Sequence, residues 1–357
     1  MNIEVIEKGK NYEVATCIPE EGVLVKKFTS ENANYIFDTK TGRMMLWGKT
    51  FKDDPDYFPA PNILDLEVTT KCNGGCKFCY KSNTTSGKNM TFDTFKRIFD
   101  VLPKSITQIA FGADRDLSSN PDLVIMMNYA RKHNVVPNIT TAYVTDEMAD
   151  ILSTLCGAVA ISRYANKNEC YDSIKKLTDR GMTQVNIHLM VSEETYDRCV
   201  ETINDAVTDP RLEKLNAIVC LCLKQKGRGE TFHTLSDEKF KNLIDLAVKN
   251  KVGLGFDSCG SLRALKALGK KIQNCVLDCE ASLQSSYINV DGFYFPCSFC
   301  EGEGSWEEGL NVLDCKDSNE FSEKIWNHPR TDLFRKILMA SAKNNEFKCR
   351  ECPMFNV

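Results

Sequence analysis

From Ile63 to Gly260, short apolar runs alternate with longer stretches of helical period. No other feature constrains the fold of the 357-residue chain as strongly. The spacing predicts strands at Leu64–Val68, Gln108–Phe111, Pro137–Thr141, Ala158–Ser162, Gln184–Met190, Ala217–Leu223 and Gly253–Asp257. Helices are expected between them at Thr91–Leu102, Pro121–His133, Asp146–Leu155, Cys170–Gly181, Glu193–Val207 and Asp237–Asn250. Thr91-Phe92-Asp93 and Ser236-Asp237-Glu238 supply caps and acidic first turns. Such βα repetition implies right-handed crossovers and a parallel sheet, either open or curled into a barrel.

The flanks differ in character. Residues 1–60 read as a small β-rich element, with Tyr35–Asp38 and Met44–Trp47 facing each other across the turn signal Thr39-Lys40-Thr41-Gly42-Arg43. Asp53-Asp54-Pro55 and Pro59-Ala60-Pro61 punctuate a linker. Residues 61–260 form the βα region, and residues 261–357 carry a hairpin signal at Asn289-Val290-Asp291-Gly292 among dense cysteines. Lys and Arg total 45 against 49 Asp and Glu, and this weak acidity argues against a chain-wide nucleic-acid footprint. No apolar run approaches the roughly 18 residues of a spanning helix, and Met1-Asn2-Ile3-Glu4 does not begin a secretory signal. A cytoplasmic protein with no membrane partner is expected.

Seventeen cysteines are too many for an ordinary cytosolic chain, and the number is odd. A reducing compartment makes a disulfide framework a poor explanation. Scattered Cys17, Cys156, Cys170 and Cys199 read as small buried hydrophobes, whereas the clustered ones call for a metal. Lys71-Cys72-Asn73-Gly74-Gly75-Cys76-Lys77-Phe78-Cys79-Tyr80 directly follows the first strand of the βα region. Three thiolates on one tight loop suit an iron–sulfur cluster, and with three local ligands one iron of a cubane is left open to a small molecule. A zinc loop borrowing a fourth ligand from elsewhere is the alternative.

This loop resembles the signature of the radical S-adenosylmethionine (SAM) superfamily, CxxxCxxC with an aromatic, here Phe78, just before the third Cys. The resemblance implies a partial (β/α)6 TIM-type barrel with the cluster at its C-terminal mouth. It implies a SAM-binding 4Fe-4S cluster on Cys72, Cys76 and Cys79, whose open iron holds the amino and carboxylate groups of SAM. Reduction then yields methionine and a 5′-deoxyadenosyl radical that abstracts hydrogen from substrate, with the electron coming from an external donor such as flavodoxin or ferredoxin. Where the family usually has Gly-Gly-Glu-Pro after the second strand, this chain has Gly112-Ala113-Asp114-Arg115. Where it often has Thr-Asn-Gly, Thr141-Ala142-Tyr143 stands. A backbone contact tolerates these departures, so Gly112, Ala113 and Asp114 remain candidates for SAM. Ser162 and Arg163 end the fourth strand, where the family places polar groups on the ribose or SAM carboxylate; strand-end residues facing water are the alternative.

By alternation Asn186, His188 and Met190 share the face of the fifth strand that would point into the barrel, toward SAM or substrate, unless His188 is a satisfied core residue. Lys224-Gln225-Lys226-Gly227-Arg228-Gly229 is either a receiver for an anionic substrate group or solvated loop charge.

The spacing Cys279-x12-Gly292-x4-Cys297 resembles the opening of the SPASM and twitch extensions that follow many radical SAM barrels, in which a β-hairpin sets two ligands of an auxiliary 4Fe-4S cluster. Cys349-x2-Cys352 supplies two more ligands, and with five residues beyond Cys352 the shorter twitch form fits better. A ribbon-type zinc site on Cys297, Cys300, Cys349 and Cys352 competes with this reading. Cys275, Cys300 and Cys315 remain spare, and Cys259 is either near substrate or merely buried. The resemblance leads to an oxidoreductase that oxidatively modifies a peptide or protein side chain. Dehydrogenation of a small molecule comes second, and a non-enzymatic zinc or iron–sulfur protein third.

Overall fold

The computed structural model describes residues 2–18, 24–164, 166–270, 273 and 276–355; Cys275 lies outside them. An antiparallel meander opens the chain: β1 (Asn2–Lys8), β2 (Tyr12–Ile18), β3 (Val25–Ser30), β4 (Asn34–Asp38) and β5 (Met44–Trp47). The expected hairpin is β4–β5, paired from Asn34 with Trp47 to Phe37 with Met44. One face of this sheet buries Val14, Phe28, Tyr35 and Phe37 against Phe58, Ala60 and Val136. Tyr35 donates from its hydroxyl to the Ser105 carbonyl at 2.5 Å and Lys26 from Nζ to the Ile106 carbonyl at 2.5 Å.

The larger sheet contains β6 (Ile63–Glu67), β7 (Gln108–Gly112), β8 (Val136–Thr141), β9 (Val159–Ser162), β10 (Val185–Val191), β11 (Ala217–Cys222) and β12 (Leu254–Phe256), hydrogen-bonded in chain order and all parallel. The crossovers carry α1 (Phe92–Val101), α2 (Leu123–Lys132), α3 (Asp146–Leu155), α4 (Lys167–Asp179), α5 (Tyr196–Thr208) and α6 (Asp237–Asn250). Both expected caps form: Thr91 Oγ1 accepts from Thr94 N at 3.1 Å, and Ser236 Oγ accepts from Lys239 N at 3.3 Å. Alternation divides the strands cleanly. Val185, Ile187 and Leu189 are fully buried on the helix side, while His188 and Met190 line the interior. Because Ser105, Ile106 and Val136 lie just before β7 or at the start of β8, the N-terminal meander covers the end of the barrel where the strands begin.

The sheet does not close. β12, the short seventh strand expected at Gly253–Asp257, extends the six strands of the implied barrel at one edge. At the other edge β13 (Ser285–Ile288) pairs parallel with β6, followed by β14 (Phe293–Phe295) and β15 (Leu310–Asn311), both antiparallel. After β12 come α7 (Ser261–Leu268), then, beyond the hairpin, α8 (Ser318–Phe321) and α9 (Pro329–Ser341). The hairpin turns at Gly292, whose φ of +84° is the left-handed geometry the Asp-Gly signal anticipates. No helix among the described residues is long and apolar enough to cross a membrane.

Candidate functional site

Beyond Glu67 the chain leaves β6 into a loop that returns at Met90. Its two arms are tied by Thr70 N to the Lys88 carbonyl at 2.9 Å, Cys72 N to the Thr84 carbonyl at 2.8 Å, and Thr69 Oγ1 to Asn89 Oδ1 at 2.6 Å. Between the arms Gly74 N donates to Cys72 Sγ at 3.3 Å, Gly75 turns the backbone at φ +57°, and Cys79 N donates to the Cys76 carbonyl at 3.2 Å. This winding brings Cys72, Cys76 and Cys79 to the rim of one cavity of about 380 Å³ inside the barrel. Desolvation pushes the Cys76 thiol up, and the neighbouring Cys79 and Cys72 push it further. Three half-buried thiols on one tight loop are a soft donor set that in kind fits a cluster. Among the described residues, no group of three or more His, Cys, Asp or Glu side chains is drawn together as a single-ion site.

Gly112, Ala113, Asp114, Ser162, His188 and Phe78 all line the same cavity. Asp114 Oδ2 is taken by Ser119, through N at 3.2 Å and Oγ at 2.7 Å, so the carboxylate braces its own loop. Thr141 Oγ1 reinforces it by donating to the Arg115 carbonyl at 2.6 Å. Phe78 packs edge-on to Phe232 at 5.9 Å and lies 5.6 Å from Tyr164, a tyrosine within hydrogen-bonding reach of both Ser162 and Cys76. His188 is neutral: burial lowers its pKa to about 4. Arg163 corrects the expectation. It follows inward-facing Ser162 by one residue and points outward, pairing with Glu201 at 2.8 Å over the ring of Tyr171.

At the second cysteine group, Cys297 Sγ lies 3.5 Å from Cys300 Sγ. Cys279 and Cys259 each feel the charges of Cys297 and Cys352, and Cys279 feels Cys259. Cys349 departs from the expected set. Its thiol faces the Arg350 carbonyl at 3.8 Å, and the groups that act on it are Asp278, Arg350 and Glu351. Cys315 is buried apart, beside Lys324 and Glu320.

No family model matches the sequence, and no curated protein matches it. Two solved structures share the fold. SuiB from Streptococcus suis bound to precursor peptide SuiA superposes with a TM-score of 0.63 at 13% identity, over 81% of this chain and 70% of that one. SuiB bound to S-adenosylmethionine gives 0.62 at 11% identity, over 85% and 79%. The chain shares the fold of SuiB.

In this barrel three further features shape the cavity and its mouth. Asp65 and Glu67 alternate on β6 and both face the cavity. Asp65 opens onto it without a hydrogen bond or ion pair among the described residues. Desolvation, then Glu280, raises its pKa to about 7. Glu67 is paired: Lys81 Nζ lies 3.0 Å away and also meets Glu301 and, at 2.8 Å, the Tyr287 hydroxyl. The basic loop is engaged within the chain. Arg228 donates from Nε to the Cys76 carbonyl at 2.8 Å, Lys226 Nζ to the Phe299 carbonyl at 3.0 Å, and Lys224 Nζ to Asp257 Oδ2 at 2.5 Å. Gly227 is required there: at φ +57°, a Cβ would lie 2.4 Å from the Tyr80 carbonyl oxygen.

Proposed function

We propose that the chain is a radical SAM enzyme in which Cys72, Cys76 and Cys79 hold a 4Fe-4S cluster, and that it oxidatively modifies a peptide or protein side chain. The observation that carries this reading is the placement of the three-cysteine loop at the C-terminal mouth of the barrel, directly over the cavity of about 380 Å³. When bound, the cluster and SAM together supply a 5′-deoxyadenosyl radical. The protein's part is to hold and enclose. Gly112 and Ala113 present backbone to the cavity, and Ser162 and Tyr164 offer hydroxyls beside Cys76. Phe78, Phe111 and Met190 keep the walls apolar and limit water near a reactive centre.

A peptide substrate is supported by the likeness to SuiB, which was solved with a precursor peptide. A small-molecule dehydrogenase is the second reading. The unpaired Asp65 favours it in one respect, because a carboxylate open to the cavity suits a small hydroxyl- or amine-bearing substrate. The deciding experiment is anaerobic incubation of the reconstituted protein with SAM and reductant, following 5′-deoxyadenosine with pools of candidate peptides and small molecules. No SAM binding by calorimetry and no 5′-deoxyadenosine would leave a metal-binding protein without this activity.

A further inference from the structure

Spacing along the chain selects Cys279, Cys297, Cys349 and Cys352 as auxiliary ligands, but the fold fastens the turn of Cys259 to the turn of Cys297. We propose that Cys259, in the turn after β12, completes the auxiliary cluster's ligand set with Cys279, Cys297 and Cys352, and that Cys349 stands outside it. The proposal rests on the reading that the C-terminal cysteines hold an iron–sulfur cluster.

Two bridges bring Cys259, Cys297 and Cys352 together, and Arg350 Nη1, donating to the Cys279 carbonyl at 3.2 Å, ties Cys279 to the segment that carries Cys352. Asp257 caps the turn Ser258–Gly260 by accepting from Gly260 N at 3.0 Å, and it holds Lys224 at 2.5 Å. That same ammonium sits 4.8 Å from the centroid of Phe299, inside the turn from Cys297 to Cys300, so the Cys259 turn is fastened to the Cys297 turn. At the other end Phe355 packs on Phe299 with centroids 6.4 Å apart and donates from its backbone N to Cys352 Sγ at 3.4 Å. Cys352 thereby reaches the same place.

Cys349 is held elsewhere by its neighbour. Arg350 pairs with Asp278 through Nη1 at 2.6 Å and through its backbone N at 2.9 Å, and Cys349 lines a separate cavity of about 290 Å³ that none of the other four cysteines lines. Cys300 is fully buried beneath the hairpin, and its thiol faces Cys297 Sγ. With Cys297 as a thiolate, Cys300 becomes a sulfur hydrogen-bond donor to a ligand. Each of the four thiols gives up one proton on binding iron, and no redox step is needed.

The test removes the first cluster so that iron reports only the second. In a Cys72→Ala/Cys76→Ala/Cys79→Ala background, reconstituted anaerobically, about four irons per chain and a reducible paramagnetic signal are expected. Adding Cys349→Ala should leave both unchanged. Adding Cys259→Ala should remove at least half of the iron and abolish or reshape the signal, with the thermal transition of the apo protein unchanged. Retention of four irons and the original signal by the Cys259→Ala protein overturns the proposal, as does their loss with Cys349→Ala. So does a Cys259→Ala apo protein whose thermal transition collapses, because Cys259 is then a packing residue. A background protein that holds no iron overturns the reading beneath the proposal, before the second substitution enters. SAM cleavage by the unaltered chain tests the enzyme reading separately.

Discussion

Arg228 Nε donates to the backbone carbonyl of Cys76 at 2.8 Å, so a residue after β11 fixes the loop that follows β6. The same arginine reaches the Asn83 carbonyl at 3.1 Å, and its own backbone N donates to the Cys79 carbonyl at 3.1 Å. The three-cysteine loop is thus clamped from across the barrel mouth.

Removing the clamp should loosen the first cluster without removing a ligand. Arg228→Ala deletes two charge-assisted bonds, worth about 1.5 kcal/mol or more together. Iron loss to a chelator is then expected to speed up roughly tenfold, while the far-UV spectrum stays unchanged. An unaltered rate of loss would mean that the loop is held by its own hydrogen bonds alone.

Lys81→Ala leaves Glu67 and Glu301 facing one another with no cation between them. Glu67 is nearly buried, and breaking one partner out of such a network costs about 3 kcal/mol. Glu301→Ala should cost less, since Lys81 then keeps Glu67. Urea denaturation of the two apo variants measures the order, and equal losses would refute it.

Asp65 and His188 line one cavity and titrate in opposite senses. Desolvation inside the cavity, then Glu280, raises Asp65 to about 7, and desolvation lowers His188 to about 4. Between pH 4 and 6.5 the folded state holds the Asp65 proton that the unfolded chain releases, and lacks the His188 proton that the unfolded chain takes up. The Asp65 contribution therefore falls as pH rises, the His188 contribution rises, and the two largely cancel. Asp65→Asn should expose a stability that increases with pH, by up to about 1.4 kcal/mol per pH unit. His188→Gln should expose the reverse. Two variants with parallel pH profiles would show that neither group titrates as its burial requires.

Changing Cys72, Cys76 and Cys79 together to Ala should abolish 5′-deoxyadenosine formation while leaving a second iron–sulfur signal. Cys279→Ala should do the opposite, keeping SAM cleavage while oxidised product falls away, because a fully ligated auxiliary cluster can only pass electrons. The unaltered chain should carry about eight irons, against about four and one zinc if the C-terminal site is a zinc ribbon. Product formed undiminished by a Cys279→Ala protein shown to lack the second cluster would reduce that cluster to a structural role.

Periodicity made the βα order legible, and local chemistry made both hairpins legible, because each depends on neighbours in the chain. Asp65 and Glu67 carried a readable signal that was passed over. In Ile63-Leu64-Asp65-Leu66-Glu67 the acids alternate with buried leucines on a strand whose outer face is covered by helices, so the acids must point inward. The same alternation places Ser162 inside and Arg163 outside, where Arg163 meets Glu201. The roles of Lys226 and Arg228 were not legible, because their partners lie about 75 and 152 residues away in the chain. Cys349 and Cys352 share a familiar spacing, and the Asp278–Arg350 pair that anchors the stretch between them is invisible to spacing.

The parallel pairing of β13 with β6 carries a consequence for how the protein is made. Ser285 joins Ile63 across more than two hundred intervening residues, so during synthesis one edge of the first barrel strand has no partner until nearly the whole chain has emerged. Contacts of such long range slow folding, and an open apolar strand edge invites pairing with another chain. A truncation before Ser285 should therefore aggregate, rather than yield a soluble barrel that merely lacks its second cysteine group.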